Sequence, residues 1–212
     1  YIDALAEYIL SGNLDDTMVY ARHVDDELEK DTQSREARAI CMNDLLKKLE
    51  ESLLSIKPYL KKYFMMKDLF HIDLHERTNE TEAFTFAEWI SRIFKELKPF
   101  IPKIDNRMVR EMCELALEQP EEKYSLAGLA NTYFVNQKYL GSLFKQEMKV
   151  SFSQYLTFLK MRRAEILLLD KCLKIYEIAE VLGSEDVEYF SRIFKNTTGW
   201  SPSSYRENLL RK

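Results

Sequence analysis

The chain has 212 residues with a formal net charge of −4, and its 46% hydrophobic and 31% charged residues are typical of a globular protein. Its five Gly and five Pro residues are too few for the turns of a β-rich fold, whereas helix-forming residues are abundant. No apolar run approaches the roughly 18 to 20 residues of a membrane span, so we expect no membrane association. These features predict an all-α protein.

The first half of the chain is predicted to be a series of amphipathic helices. The segment IDALAEYIL ends at Gly12, and LDDTMVYARHVDDELEKD begins with acidic residues, which favour the start of a helix. SREARAICMNDLLKKLEESLLSI is predicted to end before Pro58. Two more helical segments follow, YLKKYFMMKDLFHIDLH and FAEWISRIFKELK, separated by the polar stretch ERTNETE at 76–82.

Two prolines, Pro99 and Pro102, mark a boundary between a domain at residues 1–104 and a domain at residues 105–212. Residues 1–104 carry 15 Lys+Arg against 20 Asp+Glu, a net charge of −5, whereas residues 123–212 carry 14 against 9, a net charge of +5. The opposite charges suggest that the two domains have different partners.

The segment HIDLH places His71 and His75 four residues apart on a helix, a spacing that suits zinc. A tetrahedral site needs more strong ligands than these two, with only Asp73 and Glu76 nearby, so we expect no metal. A helical metalloenzyme built on the two histidines is an alternative, and it predicts stoichiometric metal. The chain has no nucleophile–base pair and no Gly-rich phosphate loop, so we expect neither an enzyme nor a cofactor.

The three cysteines, Cys41, Cys113 and Cys172, are far apart and odd in number. Each lies in an apolar pattern with helical spacing, so we expect buried, reduced thiols in a cytoplasmic protein.

A repeat distinguishes the second domain, which opens with the helical segment NRMVREMCELALEQ. YLGSLFK at 139–145 returns as YFSRIFK at 189–195, an offset of 50 residues. The offset persists where Ser151, Ser153 and Tyr155 return as Ser201, Ser203 and Tyr205. A constant offset indicates a duplicated structural unit.

Each copy is predicted to be a helix-turn-helix unit. We name them the first head, residues 125–148, and the second head, residues 174–199. In the first head, Ser125 and Asn136 are placed to cap the two helices. Ala130 lies nine residues before Tyr139, but the equivalent alanine of the second head lies ten residues before its tyrosine, so we expect one extra residue in the second turn.

The segment between the heads, SFSQYLTFLKMRRAEILLLD at 151–170, contains no Gly or Pro and has helical apolar spacing. A helix of that length would span about 30 Å, close to the ~34 Å between successive major grooves on one face of B-DNA. The repeat therefore predicts two heads that enter adjacent major grooves from the same side.

The repeated apolar residues of each head fall at helical spacing on one face, and we interpret them as core. They are Tyr139, Leu140, Leu143 and Phe144, with Tyr189, Phe190, Ile193 and Phe194. DNA contacts are expected on the opposite, polar stripe. The candidates are Gln137, Lys138, Gly141, Ser142 and Lys145 in the first head, and Glu188, Ser191, Arg192 and Lys195 in the second.

Arg192 is the best candidate for a base contact, because a guanidinium pairs with guanine O6 and N7. Glu188 either accepts from cytosine N4 or orients Arg192 four residues on, and Gln137 either pairs with adenine or caps its helix. Lys145 and Lys195 are expected to contact phosphates, which position a protein without specifying sequence. Simple solvation of these polar residues is the alternative.

Residues 123–212 resemble the DNA-binding domain of AraC/XylS-type transcription regulators. The resemblance rests on SLAGLANTYFVNQKYLGSLFKQEMKVSFSQYLTFLKMRRAEILLL and on IYEIAEVLGSEDVEYFSRIFKNTTGWSPSSYR. It implies seven helices in two helix-turn-helix subdomains joined by a long helix, and double-stranded DNA as the partner. Two positions depart from the family pattern: Ser184 replaces a frequent aromatic residue, and Ser142 replaces a frequent arginine, which suggests weaker base readout by the first head.

Residues 1–104 resemble the helical region that joins receiver and AraC-type output domains in response regulators. This resemblance implies a cytoplasmic bacterial regulator, with a receiver domain or an effector upstream of Tyr1 and a homodimer formed through the N-terminal helices. A rival interpretation is a helical protein-interaction module whose DNA-binding head is weak or vestigial.

Overall fold

The computed structural model describes residues 2–31, 34–72 and 85–209, and within these ranges it contains helices and no β-strand. The chain divides between Lys103 and Ile104 into two compact units. In the described ranges, no helix is both long enough and apolar enough to cross a membrane. The prediction of an all-α fold is confirmed.

The N-terminal unit is built from α-helices and two short 3-10 helices, and most of its helices match the predicted segments. The α-helices are α1 (Ile2–Leu10), α2 (Leu14–Asp31), α3 (Arg35–Ile56), α4 (Met66–Phe70) and α5 (Phe86–Leu97), and the 3-10 helices are Pro58–Lys62 and Lys98–Phe100. Helix α1 packs on α2 and α3, and α2 packs on α5.

One predicted helix of this unit is wrong, because YLKKYFMMKDLFHIDLH does not form a continuous helix. The segment contains most of the 3-10 helix Pro58–Lys62 and then the five-residue α4. Phe64 and Leu69 are both buried, yet five residues would separate them by about 140° on one helix. The break lets both side chains reach the core. His75 and the polar stretch 76–82 lie outside the described residues.

The core of the N-terminal unit contains aromatic side chains whose polar atoms are satisfied. Nε1 of Trp89 donates to the carbonyl of Leu69 at 2.9 Å, and the hydroxyl of Tyr59 donates to the carbonyl of Phe100 at 2.8 Å. These bonds remove the penalty of burying an indole N–H and a phenol, so the rings contribute their apolar surface to the core.

The start of α5 is capped by its own sequence. Oγ1 of Thr85 accepts from the backbone N–H of Glu88 at 3.1 Å, and the Glu88 carboxylate accepts from the backbone N–H of Thr85 at 2.8 Å. This capping box satisfies two of the N–H groups that a helix start leaves without intrahelical partners.

Asp25 of α2 satisfies the N–H groups that the capping box leaves. Its two carboxylate oxygens accept from the backbone N–H groups of Phe86 at 2.7 Å and Ala87 at 2.8 Å. Arg38 of α3 pairs with the same carboxylate at 3.2 Å, and the Asp25 side chain is only 13% exposed. One side chain thus ties α2 and α3 to the first turn of α5.

The C-terminal unit has, within residues 104–209, the seven-helix layout that the AraC/XylS resemblance implies. Its helices are α6 (Arg107–Glu118), α7 (Leu126–Thr132), α8 (Gln137–Met148), α9 (Phe152–Leu167), α10 (Ile175–Val181), α11 (Val187–Thr198) and α12 (Pro202–Leu209). Helices α7 and α8 form the first head, and α10 and α11 form the second.

Helix α9 is shared by two hydrophobic cores. Its N-terminal half packs against α6 and α8, where the rings of Phe152 and Phe144 meet edge to face with centroids 5.2 Å apart. Its C-terminal half packs against the second head, where Ala164 is fully buried in a cluster with Phe190 and Phe194. Each head therefore completes its core with half of one helix.

The connecting helix is unbroken but shorter than the predicted 151–170. Helix α9 has 16 residues and spans about 24 Å at 1.5 Å per residue, and it ends at Leu167. The N–H groups of Leu169 and Asp170 bond to carbonyls three residues back, which tightens the backbone into a turn.

Arg206 of α12 accounts for this early end. Its Nε donates to the carbonyl of Leu168 at 3.0 Å, and its Nη2 donates to the carbonyl of Leu173 at 2.8 Å. Because a guanidinium offers a rigid fork of donors, it satisfies the carbonyls on both sides of the turn and holds the chain there.

The cysteines follow the expectation at one position of three. Cys113 is buried in α6, and burial raises the pKa of its thiol to about 12. Cys41 and Cys172 are exposed, so the expectation of burial is wrong for both. Cys41 precedes Met42, which takes the inward position on α3, and Cys172 lies in the turn after α9 rather than in a helix.

The two heads achieve the same backbone with different residues at their left-handed positions. Phe134 has φ 54° in the first turn, where the second turn has Gly183 with φ 74°. Lys149 ends α8 with φ 63°, where Gly199 ends α11 with φ 81°. Because a residue with a Cβ is strained in this region, the first head carries strain that the second head avoids.

We expect Asp25→Ala to lower the free energy of unfolding by about 2–3 kcal/mol, because it leaves two helix-start N–H groups and Arg38 without their acceptor. Urea denaturation of the full chain measures the change. Asp26→Ala removes the neighbouring exposed carboxylate and is the control. Equal midpoints for the two variants would contradict the capping role of Asp25.

We expect Phe134→Gly to raise the free energy of unfolding by about 0.5–1 kcal/mol, because Gly relieves the left-handed strain. Little packing is lost, since the Phe134 side chain is 96% exposed. Gly183→Ala is the matched opposite change and should destabilise, because its Cβ would be strained and would lie 3.3 Å from the carbonyl oxygen of Glu121. Denaturation midpoints that shift in the reverse directions would refute this account.

Candidate nucleic-acid interface

The second helix of each head, α8 or α11, is its recognition helix, and both begin with the same capping geometry. Oδ1 of Asn136 accepts from the N–H groups two and three residues later, at 2.8 and 3.4 Å, and caps α8. Oδ1 of Asp186 caps α11 in the same way, at 2.8 and 3.0 Å. The predicted capping roles of Ser125 and Asn136 are confirmed, and the side chain of Gln137 is left exposed beside its cap.

The turns differ by the residue that the spacing predicted. The first turn runs from 133 to 136 and the second from 182 to 186. Both are closed by the same bond, from Val135 N–H to the Ala130 carbonyl at 3.0 Å and from Ser184 N–H to the Ala179 carbonyl at 2.9 Å. The extra residue thus lies after this bond, just before the cap of α11.

The inward faces of α8 and α11 follow the expectation in part, because Leu143 and Ile193 are only partly buried and the first positions are exposed. Leu140, Phe144 and Phe194 are fully buried. Tyr139 and Tyr189, which we expected in the core, are 53% and 51% exposed, so this expectation is wrong for both. Each tyrosine lies in the first turn of its helix, where the core narrows and the phenol reaches solvent.

The predicted contact residues of the first head line one open concavity of about 630 Å³. Its lining residues are Leu126, Asn136, Gln137, Lys138, Gly141, Ser142 and Lys145. Gly141 and Ser142 give this face a small-residue centre, and a Cβ added at Gly141 would lie 2.9 Å from Cδ2 of Leu126. Two lysines flank the centre and no acidic residue lines it, so the surface suits a polyanion.

The second head presents a different centre. Glu188, Arg192 and Lys195 are exposed on α11, and Ser191 is partly buried between them. The structure describes all four residues, and no ion pair joins Glu188 to Arg192. Instead the guanidinium carbon of Arg192 lies 5.3 Å from the ring centroid of Tyr189.

The contact between Arg192 and Tyr189 is the feature that sequence reasoning missed. A guanidinium over an aromatic face is attracted by the ring and loses some of its freedom. The signal was present in the spacing, because residues three apart on a helix are neighbours. The interpretation of Tyr189 as a core residue excludes this contact, because a buried ring is not available to an exposed guanidinium.

The structure brings the nine predicted contact residues together as two groups, five on α8 and four on α11. The histidine pair does not enter either group: His71 is exposed after α4, and His75 lies outside the described residues. Within the described ranges, no cluster of three or more His, Cys, Asp or Glu side chains could hold a metal ion.

Comparisons with known proteins agree with this geometry. Residues 129–208 match a family described as a helix-turn-helix domain. The chain is 33% identical over 147 residues to YijO, an uncharacterized helix-turn-helix transcriptional regulator of Escherichia coli. The aligned residues cover 68% of this chain and 51% of the relative. It is 31% identical to the arabinose operon regulatory protein of Escherichia coli, over 52% of this chain and 38% of the relative.

Among solved structures, the C-terminal domain of AraT, a response regulator from Geobacillus stearothermophilus, is 35% identical to the chain. The match covers 49% of this chain and 86% of that domain, with a TM-score of 0.45. The chain spans about half or less of the length of the curated relatives it matches. Residues 129–208 thus form a helix-turn-helix domain that is similar to those of AraC-type transcriptional regulators such as the arabinose operon regulatory protein.

Proposed function

We propose that this protein regulates transcription by binding double-stranded DNA in a sequence-specific manner, with its two heads in adjacent major grooves. The observation that carries the proposal is the pair of capped recognition helices, each exposing a polar stripe and both built on α9. A regulator of this kind acts in the bacterial cytoplasm, and it needs no cofactor or catalytic group.

The length of α9 alone does not span two grooves. Its 16 residues extend about 24 Å, short of the ~34 Å between successive major grooves. The heads pack on opposite halves of the helix, so the separation of the two recognition helices depends on where each lies beside α9 as well as on the length of α9. Bending of the duplex toward the protein would also reduce the required distance.

The heads divide the work between affinity and specificity in this proposal. In the second head, Arg192 reads guanine, with Glu188 and Ser191 beside it as further base contacts. Lys195 contacts phosphate. In the first head, Lys138 and Lys145 contact phosphates and Gln137 and Ser142 approach bases, but the small centre limits the base readout.

We also propose that the N-terminal helical unit regulates the DNA-binding unit. The net charges of residues 1–104 and 123–212, −5 and +5, give the two regions a mutual attraction that a signal could modulate. Two related domains, those of AraT and of a Fusobacterium nucleatum protein, come from response regulators. By analogy, the signal arrives from a receiver domain or an effector, and the N-terminal helices support a homodimer.

A second candidate is a protein-interaction module with a vestigial DNA-binding head. It is favoured by the small residues Gly141 and Ser142 at the centre of the first head and by the overall charge of −4. This candidate predicts weak DNA binding that does not depend on Arg192. Salt dependence separates the two functions, because phosphate contacts release counterions.

The first test uses a duplex selected by the full chain from a randomised DNA pool. We expect the logarithm of the binding constant to fall linearly with the logarithm of salt concentration. Arg192→Ala should reduce discrimination between the selected and a scrambled duplex by about 1–3 kcal/mol. Lys195→Ala should weaken binding to both duplexes and reduce the salt slope by about one.

Lys47→Ala removes an exposed lysine of the N-terminal unit and is the matched control, with an expected salt slope equal to that of the parent protein. Weak binding that is independent of salt would favour the interaction module, whereas discrimination that survives Arg192→Ala would refute the base contact assigned to Arg192.

The second test addresses regulation by the N-terminal unit. We expect removal of residues 1–103 to change the affinity for the selected duplex several-fold and to abolish any dimer, because the acidic unit and its dimer contacts are lost. Fluorescence anisotropy and analytical ultracentrifugation measure the two properties. If neither property changes, the two units are not coupled.

A further inference from the structure

The loop between α6 and α7, residues 119–125, is anchored in the first half of the C-terminal unit. We name it the bridging loop. Its Pro120 is buried, and the hydroxyl of Tyr124 donates to the carbonyl of Leu115 in α6 at 3.1 Å. The Tyr124 ring also meets the Phe152 ring edge to face, with centroids 6.4 Å apart. The loop therefore moves with the core of the first head.

The same loop makes contacts with the second head. Nζ of Lys123 donates to the carboxylate of Glu185 at 2.6 Å, and Glu185 lies in the turn between α10 and α11. The carbonyl oxygen of Glu121 lies 3.3 Å from the point that a Cβ on Gly183 would occupy. The absence of a side chain at Gly183 thus lets the loop backbone approach the second turn closely.

Helix α9 reinforces this contact with two long side chains. Nε of Arg163 donates to the Glu121 carboxylate at 3.1 Å, and Nζ of Lys160 donates to the carbonyl of Leu182 at 2.8 Å. Burial, the largest effect, lowers the pKa of Lys160, and Glu121 opposes that shift. One polar cluster thus joins the bridging loop, helix α9 and the C-terminal end of α10.

The contacts of this cluster differ in how strongly solvent screens them. The side chains of Arg163 and Glu121 are 21% and 26% exposed, whereas those of Lys123 and Glu185 are 68% and 87% exposed. Salt weakens the exposed pair Lys123–Glu185, which we call the outer pair, much more than the pair Arg163–Glu121, which we call the inner pair. The inner pair and the close approach at Gly183 therefore carry most of the constraint.

The loop that precedes α10 in the chain is held within its own half of the unit. It spans residues 168–174, and its carbonyls at Leu168 and Leu173 accept from Arg206 of α12, which belongs to the same half of the unit. Among the described residues, the bridging loop contacts the other head and the loop at 168–174 is held within its own half, so the duplicated halves are asymmetric.

We propose that the bridging loop sets the separation and angle of the two recognition helices, with Glu121 and Lys123 as positioning residues. The second turn leads directly into Asp186, the cap of α11, so holding this turn fixes where that helix begins relative to the first head. The loop then determines which spacing of half-sites on a duplex both heads can occupy. The claim about half-site spacing, the half-site step, rests on the proposed function. The claim about the position of the recognition helices, the geometric step, does not.

The geometric step is tested by electron-spin distance measurements in the full chain. Spin labels are placed at Gln146 and Asn196, which are exposed at equivalent positions of α8 and α11, after Cys41→Ser, Cys113→Ala and Cys172→Ser. We expect a narrow distance distribution that broadens or shifts in the double variant Glu121→Gln, Lys123→Gln. Glu122→Gln, an exposed acid of the same loop, is the control and should leave the distribution unchanged.

A rescue separates positioning from a general loss of folding. Exchanging the inner pair, with Glu121→Arg and Arg163→Glu in one chain, should restore the narrow distribution better than either single change does. An unchanged distribution in the Glu121→Gln, Lys123→Gln variant would overturn the proposal, whatever the DNA experiments show.

The DNA step uses the selected duplex with one or two base pairs added or removed between its two half-sites. We expect the parent protein to lose about tenfold in affinity on the altered spacings, and the Glu121→Gln, Lys123→Gln variant to lose only about threefold, because its heads adjust. Equal spacing preferences in the two proteins would refute the half-site step. Failure of the parent to bind any duplex would overturn the proposed function, while the distance measurement would still decide the geometric step.

Discussion

The packing of both heads on α9 is the constraint on which the C-terminal unit depends. A helix of 16 residues contributes Phe152, Tyr155 and Leu159 to one core and Met161 and Ala164 to the other, which the residue after the helix, Leu168, also joins. Each residue along a helix turns the chain by about 100°, so the rotation between the two sets limits the rotation between the heads, and within that limit the bridging loop is proposed to set their angle. An insertion within α9 would therefore re-aim one recognition helix even if both cores survived.

Local features of this fold could be predicted from the sequence, and features decided by distant residues could not. The 50-residue offset indicated two equivalent helices, and the caps at Ser125 and Asn136 followed from neighbouring residues. The end of α9 could not be predicted, because it is held by Arg206, which is 38 residues beyond Leu168. For the same reason, the role of Asp25 could not be predicted, because it caps a helix whose first residue lies 61 residues later.

The comparison of the two heads shows how little the turn depends on its own residue. Phe134 and Gly183 adopt the same left-handed conformation, although only glycine does so without strain. Packing of the flanking helices therefore imposes the turn, and local propensity follows. Packing also explains why Tyr139 and Tyr189 are not buried as predicted. The helical period places them on the inward face, but they lie where the helix leaves the core.

Duplication with divergence separates the residues that maintain the fold from those that recognise DNA. The buried positions of α8 and α11 repeat as Leu140 and Phe190 and as Phe144 and Phe194, because both helices fill the same kind of cavity. Among the exposed positions, Lys145 repeats as Lys195, whereas Ser142 in one head is replaced by Arg192 in the other. On the proposed function, this difference is what a two-headed reader needs, because identical heads would read one sequence twice. A fixed spacing between unlike heads also gives the operator a direction, since reversing the duplex would exchange the half-sites.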